Sequence, residues 1–213
     1  MDRAHPHDAP VLVVCAVARE LAELAPREGV DVLAVGVGPV EAALGTARAL
    51  AQRRYRAVIN AGIAGGFRDR CAVGDVVVVT REEYVELGLE DGGGFPLPDG
   101  AQLERTVEAD AGLVAPFVGG IAAVILGRGV TSATVTSTDA RARVLALRYR
   151  ADVESMEGFA VLRAAREAGV PGIEIRGVSN LVGDRATNEW DFAAGARGAV
   201  ETTRTLLDVL FSR

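Results

Sequence analysis

The stretch VDVLAVGVGPVEAALGTARALAQRRYRAVINAGIAGGF, residues 30–67, decides the fold of this chain of 213 residues. An apolar run at 30–36 indicates a β-strand, PVEAALGTARALAQ (39–52) follows it, and a second apolar run lies at 57–60. Pro39 indicates a helix in the middle segment, because the missing N–H costs least in a first helical turn. A strand, a helix and a further strand in succession are typical of an α/β fold.

The rest of the chain continues this alternation in both directions. β-rich runs predict further strands at 11–17, 75–80, 120–127, 133–137 and 172–180. Apolar residues at helical spacing predict helices at 139–150, 157–168 and 191–211. Asp139 is placed to cap the first of these helices, and Gly169 is placed to end the second. With no internal repeat and no long linker, we expect a single α/β domain over residues 1–213.

Two segments depart from the alternation. Residues 1–9 are expected to form a flexible N-terminus. Residues 81–100 are acidic and then rich in Gly and Pro. This composition fits either a mobile flap over a site or a plain surface loop.

Composition and charge exclude several classes of protein. The formal net charge of −6 argues against a nucleic-acid binder, which needs a clustered basic face. Apolar runs such as 11–17 are far shorter than the ~20 residues that span a bilayer, and the first ten residues lack the features of a secretory signal. We therefore expect a cytoplasmic protein without a membrane segment. Cys15 and Cys71 are not in a metal-ligand spacing and are expected to be free thiols.

The residue types that are absent restrict the chemistry further. All 23 basic residues are arginine, which excludes a Walker lysine, a Schiff-base lysine and a Ser-Lys dyad. His5 and His7 are the only histidines, so a Ser-His-Asp triad or a histidine metal site is disfavoured. We expect no metal and no cofactor. Acid–base chemistry then depends mainly on Asp and Glu.

Two glycine-containing segments are candidate ligand loops. GVGPVEAALG (36–45) follows a strand and opens a helix, as a dinucleotide-binding turn does. However, Pro39 replaces a backbone donor, and no acidic residue ends a following strand at the right distance, which disfavours a nicotinamide-dependent oxidoreductase. NAGIAGGF (60–67) is predicted to be a turn at a strand end, where its glycines would let the backbone approach a ligand. A plain tight turn is the alternative.

Polar side chains follow several of the predicted strands. Glu20 follows the first strand, Glu157 follows the strand-like ADVES, and Asn180 ends EIRGVSN, with Asp184 four residues later. Singly, each is also typical of a helix start or a cap. Together with the glycine segment at 60–67 they form a pattern that a known family shares.

These segments resemble the nucleoside phosphorylase/nucleosidase superfamily, in particular its bacterial nucleosidase branch. The resemblance covers nearly the whole chain, and its carriers are AVARE (16–20), GVGPVEAALG (36–45), NAGIAGGF (60–67), GDVVV (74–78), SMEG (155–158) and GVSNLVGDR (177–185). Within this branch, which includes methylthioadenosine/S-adenosylhomocysteine nucleosidases, the chain is most similar to the futalosine hydrolases of an alternative menaquinone pathway. The resemblance implies a central mixed, curved sheet flanked by helices, and a homo-oligomer.

The resemblance also implies roles for individual residues. Glu20 would activate the attacking water, while Met156 and Glu157 would line the ribose. Asn180 stands where adenosine-type nucleosidases have an aspartate that helps to protonate the leaving purine, and Asp184 is a second candidate for that step. The remaining substrate-binding positions that the resemblance implies are Ile63, Ala64, Gly65, Val135 and Thr136. Glu154 is expected to be a surface acid or an outer acid of the site.

The departures from the superfamily pattern favour one reaction. An asparagine at 180 can donate to a 6-oxo group at any pH, which indicates hypoxanthine rather than adenine as the leaving base. Asn60 stands where phosphorylases have a phosphate-binding arginine, which favours hydrolysis, although Arg19 and Arg68 keep phosphorolysis open. The expected activity is hydrolysis of futalosine. The alternatives are a methylthioadenosine/S-adenosylhomocysteine or inosine nucleosidase, a purine nucleoside phosphorylase and a non-catalytic nucleoside-binding module.

Overall fold

The computed structural model describes residues 9–89, 97–98, 102–186 and 188–212. The predicted flexible N-terminus therefore lies almost wholly outside the described residues. Much of the Gly- and Pro-rich part of 81–100 also lies outside them.

The described residues alternate between strands and helices along most of the chain. The strands are β1 (Val11–Cys15), β2 (Val30–Ala34), β3 (Ala57–Gly66), β4 (Val76–Tyr84), β5 (Thr106–Glu108), β6 (Ile125–Thr131), β7 (Val153–Ser155) and β8 (Gly172–Leu181). The α-helices are α1 (Pro39–Gln52), α2 (Ala111–Val118), α3 (Asp139–Tyr149), α4 (Gly158–Glu167) and α5 (Phe192–Phe211). A short 3₁₀-helix, Ala18–Leu21, follows β1.

The strands form one mixed sheet in the order β2-β1-β3-β7-β6-β4-β5, with β8 pairing with both β3 and β4. Strands β3, β7, β6, β4 and β8 therefore close into a ring, to which β1 and β2 are added on one side. The pairs β1–β3, β3–β8 and β4–β6 are parallel, whereas β4–β8 and β3–β7 are antiparallel. The predicted α/β fold with a mixed, curved sheet is confirmed.

Strand β1 explains why helices cover both faces of the sheet. Its five residues are all buried, and successive side chains of a strand point to opposite faces. Val11 and Val13 lie in the core that contains Leu206 of α5. Leu12, on the opposite face, lies in the core that contains residues of α1 and α4. A continuously apolar strand is thus buried between two helical layers.

A close backbone approach holds α5 against the sheet. Gly177 of β8 faces Gly195 of α5, and a Cβ added at Gly177 would lie 1.9 Å from the Gly195 carbonyl oxygen. Glycine at this position is therefore a packing requirement, because any larger residue would push the helix away.

Four predictions of local structure were wrong. Residues 60–66 continue β3 as a strand, because β8 pairs with them as far as Gly66. Residues 133–137 have no strand pairing, and the strand predicted at 120–127 is instead Ile125–Thr131. Helix α3 is capped by Thr138, whose hydroxyl accepts from the Arg141 N–H at 3.3 Å. Asp139 accepts from the Asp184 N–H instead.

Three short elements were not predicted, namely β5, α2 and the 3₁₀-helix Ala18–Leu21. The short strand β5 pairs only with the end of β4, and the brief α2 contains Pro116. Strands of three residues and helices with an internal proline carry little periodic signal.

None of the helices in the described part of the chain is long and apolar enough to span a membrane. Cys15 and Cys71 are both free and buried. Burial raises the pKa of each thiol to about 12, which suppresses the reactive thiolate.

Candidate active site

A cavity of about 250 Å³ lies where β1, β3, β7 and β8 end. It is lined by nine of the predicted site residues, which are Glu20, Ile63, Ala64, Gly65, Val135, Thr136, Met156, Glu157 and Asn180. Residues from five separate parts of the chain thus converge on one cavity. An open α/β sheet places its ligand at such strand ends.

Glu20 is held by three backbone amides. Its Oε2 accepts from the N–H groups of Ala16 and Val17 at 3.0 and 3.1 Å, and its Oε1 accepts from the Ile63 N–H at 3.0 Å. The side chain is buried, but it still lines the cavity. Amide donors stabilise the charged carboxylate, so Glu20 has a fixed position as an anion facing the cavity.

Glu157 takes the N-cap position of α4, yet its side chain does not cap that helix. Its Oε1 accepts from the Gly38 N–H at 3.0 Å, and its Oε2 lies 3.6 Å from Nη2 of Arg176. Burial raises the pKa of Glu157, whereas the Arg176 charge and the Gly38 N–H lower it. The Gly38 contact explains the role of segment 36–45, whose backbone binds a protein carboxylate.

Arg176 was missed by the sequence reading, although it is one of the largest fully buried side chains. Its Nε donates to Glu174 Oε1 at 2.6 Å, and its Nη1 donates to the Ile63 carbonyl oxygen at 3.3 Å. The negative charges of three carboxylates act on the Arg176 guanidinium group, namely those of Glu174, Glu157 and Glu20. The signal in the sequence was Glu174 and Arg176, two residues apart on one face of the apolar run GIEIRGVSN.

Asn180 reaches the cavity through an irregularity in β8. The β3–β8 register shifts between Ala64 and Gly65, so that Gly65 pairs with Asn180. A bulge of this kind re-aims a side chain. The Asn180 amide oxygen accepts from the Ser179 hydroxyl at 2.8 Å, and its NH₂ group donates to the Leu181 carbonyl oxygen at 3.1 Å. One amide N–H is left to donate to a ligand.

The glycines of 60–67 serve the protein's own side chains as well as the cavity. A Cβ at Gly62 would lie 2.6 Å from Glu20 Oε1 and 2.8 Å from Arg176 Nη1. A Cβ at Gly65 would lie 3.3 Å from the Asn180 amide nitrogen. Gly62 is therefore needed because two charged side chains lie directly over its backbone.

Of the two alternatives predicted for Glu154, the surface acid is wrong. Glu154 is buried and lines the cavity, and its carboxylate accepts from the Thr136 N–H at 2.9 Å and the Thr136 hydroxyl at 2.5 Å. Burial raises the pKa of Glu154, whereas the two hydrogen bonds from Thr136 lower it by less. Glu154 therefore fixes Thr136, and with it the irregular segment after β6.

One side of the cavity is apolar and was missed by the sequence reading. Its residues are Val17, Val37, Trp190 and Phe192. Arginine guanidinium groups stack on two of these side chains. The Arg19 Cζ atom lies 4.6 Å from the centre of the Phe192 ring, and the Arg185 Cζ atom lies 5.1 Å from the centre of the Trp190 ring. This side thus offers apolar and aromatic surface with cations beside it.

Asp184 does not line the cavity. Its N–H donates to Asp139, and its carboxylate accepts from the Ala186 N–H at 2.9 Å, as in a turn after a strand. Arg68, which had kept a phosphate site open, donates to the Asn188 side chain at 2.8 Å. Neither residue is brought to the other predicted site residues.

The geometry defines what this cavity can do. Three buried carboxylates, those of Glu20, Glu154 and Glu157, line it beside the Asn180 amide, and none of the described residues that line it is an arginine. Among the described residues, no cluster of three His, Cys, Asp or Glu could hold a metal ion. A developing cation would be stabilised here, whereas a phosphate would lack a bidentate clamp.

Known proteins resemble this chain over most of its length. Residues 24–211 match the model of the family described as "Phosphorylase superfamily". A futalosine hydrolase from Streptomyces coelicolor is 39% identical over 192 residues, which cover 87% of this chain and 81% of that protein.

Solved structures share the fold. A 5′-methylthioadenosine/S-adenosylhomocysteine nucleosidase from Colwellia psychrerythraea 34H, in complex with adenine, superposes with a TM-score of 0.81 at 22% identity. The match covers 95% of this chain and 96% of that chain. A futalosine hydrolase from Helicobacter pylori strain 26695 superposes with a TM-score of 0.78 at 19% identity, covering 95% and 98%.

Proposed function

Because the chain belongs to the phosphorylase superfamily, and within it to the futalosine hydrolase family, we propose that it hydrolyses the N-ribosidic bond of futalosine. The products are hypoxanthine and dehypoxanthine futalosine. The observation that carries the proposal is the convergence of Glu20, Glu157 and Asn180 on one cavity. The reaction belongs to menaquinone biosynthesis and takes place in the cytoplasm.

Glu157 stabilises the sugar as the bond breaks. Cleavage of a glycosidic bond builds positive charge on the ring, as in an oxocarbenium ion. Glu157 accepts from one amide and lies 3.6 Å from the nearest Arg176 nitrogen, so it retains lone pairs for the ribose hydroxyls. Its negative charge then acts where positive charge develops.

Glu20 activates the water that attacks the ribose. Its three amide contacts fix both carboxylate oxygens, so the orientation needed for proton abstraction is set before the substrate binds. Water is the nucleophile rather than phosphate, since no described arginine lines the cavity and Arg176 is bound to Glu174.

Asn180 binds the leaving base. A buried amide N–H donates to O6 or N7 of an oxopurine without changing its own charge, and the Ser179 hydroxyl fixes its orientation. The base leaves as its electrons are drawn toward this donor, and it takes its final proton from solvent.

A substrate panel tests this function. Purified protein is incubated with futalosine, inosine, methylthioadenosine and S-adenosylhomocysteine, each with and without phosphate, and the freed base is measured by chromatography. We expect hypoxanthine from futalosine at a phosphate-independent rate that exceeds every other rate. Strong phosphate dependence would establish a phosphorylase, and ligand binding with no turnover would establish a binding module.

The base preference is tested at Asn180. An aspartate there can accept from a 6-amino group, so Asn180→Asp should shift the ratio of kcat/KM from 6-oxo toward 6-amino nucleosides by about tenfold or more. The matched control is Asn188→Asp, on a half-buried residue that accepts from Arg68 and does not line the cavity. An unchanged ratio in Asn180→Asp would contradict the role of the amide.

The oligomer is proposed to form across a groove between α1 and α4. The groove, of about 920 Å³, is lined mostly by apolar residues, including Val40, Leu44 and Phe159. Val40 is 67% exposed and Leu44 is 56% exposed, as is typical of an interface that lacks its partner. The partner is a second copy of this chain, because Pro39 of the groove lies two residues from Val37 of the catalytic cavity, and a copy seated there would extend toward the apolar side of that cavity.

A further inference from the structure

Two buried glutamates lie behind the catalytic cavity without lining it. Glu82 on β4 and Glu174 on β8 have no exposed surface, and neither is among the predicted site residues. A buried ionised carboxylate is costly unless it is paired, so two adjacent ones need a specific explanation.

Each carboxyl group has one bonded oxygen and one oxygen without a conventional partner. Glu82 Oε2 accepts from the Thr131 hydroxyl at 2.9 Å. Glu174 Oε1 accepts from Arg176 at 2.6 Å and from the Ser155 hydroxyl at 3.3 Å. Glu82 Oε1 and Glu174 Oε2 are buried without any hydrogen-bond donor.

Two glycines make room for these oxygens. A Cβ at Gly129 would lie 1.9 Å from Glu82 Oε1, and a Cβ at Gly158 would lie 2.3 Å from Glu174 Oε2. These glycines leave space for both carboxyl groups, and Glu82 and Glu174 lie within hydrogen-bonding reach of each other. Two carboxyl groups with facing acceptor oxygens form a hydrogen bond only if a proton lies between them.

We propose that Glu82 and Glu174 share one proton, carried by Glu82, and that this pair positions Arg176 and Glu157 for the reaction. Both glutamates are positioning residues, since neither contacts the cavity. The inference deepens the proposed function at the same site and rests on it.

The pair acts on Glu157 through two hydroxyl groups. Thr131 donates to Glu82, and its oxygen accepts from the Phe159 N–H at 2.7 Å. Ser155 donates to Glu174, and its oxygen accepts from the Gly158 N–H at 3.3 Å.

These two amides belong to the first turn of α4, which ordinarily needs a capping side chain. The hydroxyl groups of Thr131 and Ser155 replace the side chain of the N-cap residue. Glu157 is thereby left free to face the ribose.

The pair also sets the charge of the site. Among the described residues, the Arg176 charge acts on Glu82, Glu157 and Glu174, and it also acts on Cys15 beside Glu20. If Glu82 is neutral, Glu20, Glu157 and Glu174 oppose a single arginine. The excess of negative charge suits a reaction in which the sugar becomes cationic.

The protonation of Glu82 has support beyond the geometry. Burial raises its pKa well above the usual range, and the Glu174 charge together with a hydrogen bond to Glu174 raises it further. Thr131 and Arg176 lower it by smaller amounts. Two carboxyl groups in contact cannot both ionise readily.

The test compares Glu82→Gln with Glu174→Gln. Glutamine mimics a protonated carboxyl group, so Glu82→Gln should keep kcat, KM and the pH profile for futalosine close to those of the wild type. Glu174→Gln removes the main partner of Arg176. It should lower kcat by about 10- to 100-fold, the usual loss when the outer partner of a functional side chain is removed.

The pH profile separates positioning from a merely structural role. In Glu174→Gln, Arg176 acts more strongly on Glu157, so the pKa of Glu157 falls and the acidic limb of kcat/KM should move to lower pH. Glu83→Gln, next to Glu82 on β4, is the matched control and should change neither limb. Melting curves confirm that each variant is folded.

Infrared spectroscopy reports the proton directly, whether or not Glu174→Gln folds. At neutral pH the wild type should show a carboxylic acid C=O band that is lost in Glu82→Gln and kept in Glu83→Gln. The inference is overturned if Glu82→Gln keeps this band or loses as much activity as Glu174→Gln. A wild type that cleaves other nucleosides but not futalosine overturns the proposed function while leaving the infrared result to decide the shared proton.

Discussion

At the scale of single residues, glutamates with similar burial have different roles because their donors differ. Glu20 receives three backbone amides, Glu157 receives one amide and a nearby guanidinium group, and Glu154 receives only Thr136. The first is a fixed anion, the second keeps free acceptor capacity, and the third is bound to the protein alone. The identity of the donors, rather than burial, distinguishes the carboxylates with a proposed catalytic role from the supporting one.

The first prediction concerns Glu20. Glu20→Gln keeps the size of the side chain but removes the general base, so kcat for futalosine should fall by about 10²- to 10⁴-fold while KM changes little. Hypoxanthine release measured by chromatography checks this. The control is Glu23→Gln, an exposed residue just beyond the same 3₁₀-helix, which should behave like the wild type. Equal activity in the two variants would exclude Glu20 as the base.

Arg19 is predicted to bind the aromatic carboxylate that futalosine carries beyond its ribose. It stacks on Phe192, which lines the apolar side of the cavity. Arg19→Gln should raise KM for futalosine by about tenfold, equivalent to ~1.4 kcal/mol of binding. KM for inosine, which lacks the carboxylate, should be unchanged.

The control for Arg19 is Arg27→Gln. Arg27 also stacks on a ring, Phe211 at 4.6 Å, but that ring does not line the cavity. A rise in KM for Arg27→Gln, or an equal rise for inosine in Arg19→Gln, would argue against a carboxylate subsite. If Arg185→Gln instead raises KM for futalosine but not for inosine, the subsite belongs to Arg185, which stacks on Trp190.

At the scale of elements, β8 connects packing with catalysis. Glu174 and Arg176 are buried positions of this strand, and the bulge turns Asn180 toward the cavity. Gly177, which lies between Arg176 and Asn180 in the chain, contacts α5. Positions two residues apart on a strand share a face, so a single strand supplies the cation and its carboxylate together.

Gly177→Ala is predicted to destabilise the protein through this element. Its Cβ would lie 1.9 Å from the Gly195 carbonyl oxygen, and overpacking of this kind costs about 1–3 kcal/mol or more. The midpoint of thermal unfolding should fall by several degrees, since ~1 kcal/mol shifts it by about 2–4 °C in a chain of this size. Gly119→Ala, where φ is −74° and the nearest atom is 3.2 Å away, should have a much smaller effect.

At the scale of the whole molecule, the closed ring of strands brings distant segments together. Glu20, Glu157 and Asn180 belong to different elements, and Gly38 contacts Glu157 across 119 positions of the chain. Since each strand of the ring is paired on both sides, the positions of these residues are fixed by the same hydrogen bonds that hold the fold. We infer that loss of the ring would abolish the site.

The groove between α1 and α4 leads to a prediction for the assembly. Leu44→Glu places a charge at the centre of its apolar surface and should convert a dimer into monomers, as measured by sedimentation. Val118→Glu is the control, because Val118 is equally apolar and 70% exposed but lies on α2, outside the groove. If Leu44→Glu sediments like the wild type, the groove is not the subunit interface.

Much of the site was predictable because its residues stand at the ends of strongly patterned segments. Helix α1 has the predicted bounds, and nine of the predicted residues line the cavity. Asp184 was misplaced because a carboxylate after a strand fits both a turn and a catalyst. Trp190 was missed because it belongs to no periodic segment, and Phe192 was missed because its place in the predicted helix 191–211 indicated packing rather than binding.

The sequence by itself determined the alternation of strands and helices, the buried faces of the strongly patterned elements and the residue types available for chemistry, because periodicity and composition are local properties. Only the tertiary structure decided that Arg176 lies between Glu174 and Glu157, that Glu154 is buried, and that Glu82 contacts Glu174. These contacts depend on the register of strands far apart in the chain. A shift of one residue in that register would turn each side chain to the opposite face.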